Sequence, residues 1–168
     1  MSQYIKNIKK VINIKFNNKD LLLKSFIHKS YNKESNNEKL EFLGDRVIGL
    51  VISKKLITLY PDENEGIIDK KFASLVNKKT CAKVFRYLNL KKFIKTGSSF
   101  KTLHFSDDRI LSDTCEALIG SIYLDQGFVN TEKFVLKIWK NFIINSKVTE
   151  IDSKTKLQEF SLKKFKKL

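Results

Sequence analysis

Acidic residues inside an apolar helical pattern constrain the fold of this chain more than any other feature. Between residues 37 and 50, apolar side chains recur at steps of three and four, which predicts a helix with one face in the core. Three acids recur on a neighbouring face of the same helix: Glu38, Glu41 and Asp45. Carboxylates one and two turns apart repel one another and lose solvation when partly buried, so they persist where a cation compensates them. The stretch therefore predicts a metal site at the edge of the core.

A second acidic pair stands in another strongly apolar stretch, which predicts a helix over Arg109–Leu124. Asp113 and Glu116 are three residues apart there, so both side chains project to one face. Glu41 and Asp45, four apart, share a face of the first helix, and the four acids can therefore converge between the two helices. Oxygen ligands of this kind suit Mg²⁺, which completes its shell with water and substrate phosphate oxygens. Such a metal activates water and stabilises the leaving oxygen when a phosphate ester is hydrolysed.

Other kinds of catalytic site fit the sequence less well. A di-iron or di-manganese carboxylate bundle expects Glu-x-x-His pairs, and neither His28 nor His104 lies three residues after a Glu. A catalytic cysteine is no better, because Cys115 lacks a suitable base. Cys81 and Cys115 are far apart and show neither zinc-ligand spacing nor a disulfide framework, which favours a reducing, intracellular compartment.

The chain is strongly basic. It has 33 Lys and Arg against 18 Asp and Glu, a formal charge of +15 and a pI near 9.7. This balance favours a polyanionic partner such as nucleic acid or an anionic membrane, although a merely lysine-rich composition would look the same. Charge-free runs are far too short to cross a bilayer, so we expect a soluble protein with no membrane partner. With 168 residues, one main globular domain is the default.

Helical periodicity recurs through the chain, and no segment alternates with the period of a strand, which predicts an all-α fold. Three helix starts are predicted from capping residues: Asp20 before a helix over residues 21–28, a capping box of Ser35 and Glu38, and Asn130 or Thr131 before a final long helix. The box gives Glu38 a purely structural alternative to metal binding. The predicted helices cover residues 2–14, 21–28, about 38–59, 65–77, 80–88, 109–124, from about 131, and 155–165.

Two motifs resemble the ribonuclease III family. Residues 37–45, from Asn37 to Asp45, match the family signature almost letter for letter. Residues 111–120, together with Tyr123-Leu124-Asp125, match its second acidic motif. Weaker similarities extend over nearly the whole chain: Leu21-Leu22 with residues 27–31, Tyr60-Pro61 with Glu65-Gly66, and Leu75-Val76-Asn77.

This resemblance implies the all-helical ribonuclease III endonuclease-domain fold. It implies that Glu41, Asp45, Asp113 and Glu116 bind the metal, that Asp45 and Glu116 are the critical catalytic pair, and that Phe42 lies at a dimer contact. The expected cofactor is Mg²⁺, with Mn²⁺ able to substitute, and no small-molecule organic cofactor is expected. The expected enzyme is a cytoplasmic homodimer that cuts double-stranded RNA to 5′-phosphate and 3′-hydroxyl ends. Its expected roles are the processing of ribosomal, transfer and messenger RNA precursors.

Two departures from the family pattern leave alternatives open. Arg46 stands where many members carry a small residue, although an arginine also occurs in the family. Residues 152–159 resemble the start of a double-stranded RNA-binding domain. We therefore expect an endonuclease domain over 1–147 and, over 148–168, a linker and the first helix of an incomplete second domain, in a truncated or naturally short chain. Lys154 and Lys156 there are candidate RNA-backbone contacts.

The alternative function is a catalytically silent protein that binds double-stranded RNA on the same fold, which loss of an acid would mark; no acid is lost.

Overall fold

The structure, a computed structural model, describes residues 2–98, 108–146, 160–161 and 164. Within these residues it contains six α-helices, one short 3₁₀ turn and no β-strand, which confirms the predicted all-α class. The helices are α1 Ser2–Ile12, α2 Lys19–Ser25, α3 Glu38–Leu59, α4 Glu65–Val76, α5 Lys78–Tyr87 and α6 Asp108–Ile144, and the 3₁₀ turn is Lys91–Phe93. None of the described helices has the length and hydropathy needed to span a membrane.

Helices α3 and α6 form the centre of the fold, and α5 packs on α6 beside them. Their buried faces follow the predicted apolar periodicity, except that Leu50 of α3 is 58% exposed, and Trp139 of α6 is completely buried. Its indole Nε1 donates a hydrogen bond to the Leu75 carbonyl at 3.0 Å, so the ring's one polar atom is satisfied inside the core. The α4–α5 hairpin is thereby attached to the last part of α6.

The crossing of α3 and α6 brings the two acidic segments together. At this point the backbones are in direct contact: a Cβ atom at Gly44 would lie 1.8 Å from the Glu116 carbonyl oxygen, and one at Gly120 would lie 2.1 Å from the Leu40 carbonyl oxygen. Only glycine tolerates such an approach, because every other residue would place a carbon inside a neighbouring atom. The crossing therefore holds Glu41 and Glu116 close to each other.

Two of the predicted helix caps are wrong. Helix α2 is capped by Asn18, whose Oδ1 accepts hydrogen bonds from the backbone N–H groups of Asp20 and Leu21. The capping box of Ser35 and Glu38 does not form either, because the Glu38 N–H donates to Asn36 Oδ1 at 3.0 Å. In both places an asparagine amide oxygen accepts hydrogen bonds from the free N–H groups at the helix start.

The helix break predicted after residue 124 is confirmed, because α6 consists of two helical segments that meet at a kink. Gly127 has non-helical angles (φ 73°, ψ 177°) and marks a kink across which the helix resumes. Asn130 Nδ2 donates to the Gln126 carbonyl and Thr131 Oγ1 to the Gly127 carbonyl, so these side chains satisfy carbonyl groups at the kink and do not cap a new helix. Asp125 accepts hydrogen bonds from the backbone N–H groups of Asn17 and Asn18 at 2.9 and 2.7 Å, which attaches the α1–α2 loop to the kink.

Smaller shifts affect other helix ends. Helix α1 stops at Ile12, because Asn13 has a positive φ of 56°, and Asn77 starts α5 two residues earlier than predicted by accepting the Thr80 N–H at 2.9 Å.

Lys154, Lys156 and His104 lie outside the described residues, as does most of the helix predicted over 155–165. The domain boundary after residue 147 also stays a prediction.

Candidate active site

Three of the four predicted site carboxylates converge where α3 meets α6. One carboxylate oxygen from each of Glu41, Asp113 and Glu116 lies within 4.8 Å of the other two. Glu41 is half-buried, whereas Asp113 and Glu116 are only 7% and 6% exposed. Buried acids at this separation repel one another strongly, so the cluster is a focus of negative charge that a cation would stabilise.

Local structure fixes the orientation of the deepest acid, Glu116. The hydroxyl group of Ser112, one turn earlier on α6, donates a hydrogen bond to Glu116 Oε1 at 2.9 Å. Ser112 is completely buried, so this interaction is shielded from solvent. One oxygen of Glu116 is thereby held by the helix, and the carboxylate is directed towards the other acids.

Asp113 has an unsatisfied oxygen beside two cations. Its Oδ1 is buried and makes no hydrogen bond. Lys78 Nζ lies 3.7 Å from this atom, and Arg109 Nε lies 3.9 Å from Oδ2, both too far for a good hydrogen bond. A buried carboxylate oxygen without a partner is costly and is expected where a ligand completes its surroundings.

Asp45 lies on the same cleft but not in the three-carboxylate cluster. Its Oδ2 pairs with Arg46 Nη1 at 2.6 Å, and roughly half of the Asp45 side chain is exposed. Arg46 also stacks on the ring of Phe42, with its guanidinium carbon 4.2 Å from the ring centroid. The metal and catalytic roles expected for Asp45 therefore stay predictions.

An open cleft of about 540 Å³ gives access to Glu41, Asp45 and Glu116. Phe42 lines the cleft with 64% of its surface exposed, although Arg46 stacks on one face of the ring; the dimer contact stays a prediction. Glu38 also borders the cleft, but its carboxylate pairs with Lys29 Nζ at 2.8 Å. The cleft lining comprises Glu38, Glu41, Phe42, Asp45, Arg46, Val76, Asn77, Lys78 and Glu116.

The electrostatics of the site favour protonation of its buried acids. Burial is the largest cause that raises the pKa of Glu116, to about 7; the charges of Asp45, Asp113 and Glu41 raise it further, while the Ser112 hydrogen bond lowers it. Burial and the charge of Asp113 also raise the pKa of Glu41. A divalent cation would reverse these shifts, because it favours the ionised carboxylates.

The donor set fits a small, hard divalent cation. All three converging atoms are carboxylate oxygens, which is the ligand type that Mg²⁺ prefers. The unpartnered Asp113 oxygen supports the same interpretation. Among the described residues, no other group of three or more acidic, histidine or cysteine side chains has this arrangement.

Comparison with known proteins identifies the family of this fold and site. The Ribonuclease-III-like family matches residues 18–142, which include both acidic segments. The chain belongs to the ribonuclease III family. It is 51% identical to ribonuclease 3 of Pelagibacter ubique over 161 residues, covering 96% of this chain and 72% of that protein. It is also 41% identical to ribonuclease 3 of Campylobacter jejuni, covering 94% of this chain and 73% of that one.

A solved structure agrees with this membership. The nuclease domain of Campylobacter jejuni ribonuclease III superposes with a TM-score of 0.78 at 38% identity, covering 82% of this chain and 98% of that domain. That domain is described as having structural flexibility in a region involved in dimer formation. The comparisons confirm the predicted family and nuclease-domain fold, and make this ribonuclease III chain an endoribonuclease.

Sequence reasoning missed two residues of the site. Lys78 was one of 33 basic residues, with no spacing that distinguished it from the others. Ser112 carried a usable signal, because it stands four residues before Glu116, a separation at which side chains meet on a helix.

Proposed function

We propose that this ribonuclease III chain is a Mg²⁺-dependent endonuclease specific for double-stranded RNA, with Mn²⁺ able to substitute. The observation that carries the proposal is the convergence of Glu41, Asp113 and Glu116, two of which, Glu41 and Glu116, line an open cleft. When bound there, Mg²⁺ would supply an activated water and stabilise the leaving oxygen of the phosphodiester. The products would carry 5′-phosphate and 3′-hydroxyl ends.

The chain's own residues have separate tasks in this proposal. The three converging acids hold the metal, and Ser112 keeps Glu116 directed towards it. Asp45, at the mouth of the cleft, completes the catalytic group once its carboxylate leaves Arg46. The net charge of +15 favours binding of the RNA backbone, and an A-form duplex is recognised mainly through its shape and phosphates.

Two active sites acting together are the second part of the proposal. Phe42 is a large apolar side chain with 64% of its surface exposed beside the acids. A second copy of the chain that covered Phe42 would place two clefts along one duplex, so that both strands could be cut. We propose the cytoplasm as the compartment, and precursors of ribosomal, transfer and messenger RNA as substrates.

Amide substitutions test the catalytic assignment. Asp45→Asn and Glu116→Gln each preserve side-chain size but remove a negative charge. We expect both variants to keep the parent's circular dichroism and lose duplex-RNA cleavage in Mg²⁺, because each change removes an oxygen ligand or base. Lys79→Ala, an exposed change outside the cleft, is the control. Cleavage by the amide variants at the parent rate would refute the assignment.

A further inference from the structure

Lys78, the first residue of α5, occupies an unusual position relative to the acids. It lines the cleft that contains Glu41 and Glu116, and its ammonium group lies 3.7 Å from the unpartnered oxygen of Asp113. Its charge also lowers the pKa of Glu41. Lys78 therefore lines the cleft, and its charge acts on two of the three converging acids, Glu41 and Asp113.

The pairing of Lys78 with Asp113 is loose. At 3.7 Å the two atoms are too far apart for a good hydrogen bond, and 62% of the Lys78 side chain is exposed. Asp113 itself is buried, so the loss of its cation is costly unless another cation replaces it. The ammonium group can therefore change partner at small cost once a metal compensates Asp113.

The start of α5 adds to the positive field around Lys78. No acidic residue occupies the first turn of the helix. Asn77 Oδ1 accepts the Thr80 N–H. The backbone at this end carries partial positive charge, which attracts anions. The helix end therefore adds to the attraction that the charge of Lys78 exerts on a phosphate.

Metal binding would change the partner of Lys78. A divalent cation held by the carboxylates repels an ammonium group next to Asp113 and brings a phosphate of the substrate towards the cleft. Arg109, the other cation beside Asp113, has a different position: it lies on α6, one turn before Asp113, and does not line the cleft. Lys78 thus combines access to the substrate with competition for the metal site.

We propose that Lys78 is a substrate-binding residue whose ammonium group moves from Asp113 to a phosphate of the RNA backbone when the metal binds. The inference rests on the proposed function and adds a phosphate subsite to the same cleft. Its signature is a pair of opposite effects. Removing Lys78 weakens RNA binding but strengthens metal binding in the absence of RNA, whereas loss of a purely structural ion pair would not weaken RNA binding.

Three variants test this signature. Lys78→Ala removes the charge, Lys78→Arg keeps it, and Lys79→Ala removes an exposed neighbouring charge outside the cleft. Mn²⁺ binding is measured by calorimetry on RNA-free protein. Duplex-RNA binding is measured by fluorescence anisotropy in Ca²⁺ over a range of salt concentrations, with RNA integrity checked on a gel. Thermal melts establish that each variant is folded.

We expect Lys78→Ala to bind duplex RNA about tenfold more weakly, with a salt slope smaller by about one for each Lys78 that contacts the duplex. Its Mn²⁺ affinity should rise roughly two- to fivefold. Lys79→Ala should match the parent, and Lys78→Arg should retain RNA binding. Equal RNA affinity and salt slope in Lys78→Ala and Lys79→Ala would overturn the inference. A parent that binds RNA but does not cut it in Mg²⁺ would instead refute the proposed function.

Discussion

Gly44 of α3 and Gly120 of α6 lie backbone to backbone: a Cβ atom at Gly44 would come within 2.9 Å of the Gly120 nitrogen, and one at Gly120 within 3.1 Å of the Gly44 nitrogen. Gly44 lies between Glu41 and Asp45 in sequence, and Gly120 follows Glu116 by one helical turn. This contact therefore sets the separation between the acids of the two helices. An increase in the helix separation would pull the carboxylate cluster apart.

Gly44→Ala tests the role of this contact. The new methyl group would overlap the backbone of Glu116, which cannot move as a flexible side chain could, so we expect a loss of stability of at least roughly 2 kcal/mol. Metal affinity should fall with it. Gly49→Ala on the same helix is the matched control, because its Cβ would lie 3.6 Å from the Phe72 ring, an ordinary contact.

Urea denaturation of both variants, with and without Mg²⁺, measures these effects. Gly49→Ala should be neutral or stabilising by up to about 1 kcal/mol, since alanine favours helix more than glycine does. Equal stability of the two variants would contradict the assigned contact.

Ser112→Ala tests whether the hydroxyl group orients Glu116. Its hydrogen bond to the carboxylate is buried, and bonds to charged groups contribute roughly 1.5–3 kcal/mol, so we expect Mg²⁺ affinity to fall at least about tenfold. Because the bond lowers the pKa of Glu116, the acid limb of the cleavage pH profile should move to higher pH. Ser121→Ala is the control: Ser121 is also fully buried on α6, but its hydroxyl donates to the Leu118 carbonyl. Identical metal titrations and pH profiles for the two variants would argue against the positioning role.

The pKa of Glu116 predicts an unusual pH dependence of stability. Its folded-state pKa of about 7 lies above the ordinary 4.5, so the folded state binds this proton more tightly than the unfolded state. The resulting stabilisation is fully present below pH 4.5 and is lost as pH rises through 7, with a total of at most roughly 3 kcal/mol. Mg²⁺ should restore stability at and above pH 7, because it favours the ionised acids.

Glu116→Gln isolates this effect, since the amide does not titrate. Urea denaturation from pH 4.5 to 8 without metal should show that the difference in unfolding free energy between variant and parent grows with pH. The variant should also gain less stability from Mg²⁺. A difference that stays constant with pH would show that the folded protein does not raise the pKa of Glu116.

The sequence predicted the helices and the acidic positions well, because helical periodicity directly determines which side chains share a face. It could not predict that Asp45 lies apart from the cluster, because this depends on an ion pair with the adjacent Arg46. It did predict the break at Gly127, where glycine interrupts the helical pattern, but not that Asp125 attaches this kink to the α1–α2 loop. Such long-range contacts are invisible to local patterns.

Phe42→Ala tests the proposed dimer contact. The ring is largely exposed, so its removal should leave folding intact while weakening self-association about 30-fold or more, as expected for an aromatic anchor at an interface. Tyr87→Ala removes another aromatic side chain, 73% exposed on α5, and serves as the control. Sedimentation equilibrium over a range of concentrations measures both. A dimer unaffected by Phe42→Ala would exclude this residue from the contact.

The central claim, a metal-dependent endonuclease specific for duplex RNA, is tested most directly by one gel assay. The parent chain and Glu116→Gln are incubated with duplex or single-stranded RNA of the same sequence, in Mg²⁺ or in a chelator. We predict cleavage only by the parent, only of the duplex and only in Mg²⁺, with 5′-phosphate ends on the products. Equal cleavage of single-stranded RNA, cleavage in the chelator, or parent-level cleavage by Glu116→Gln would contradict the claim.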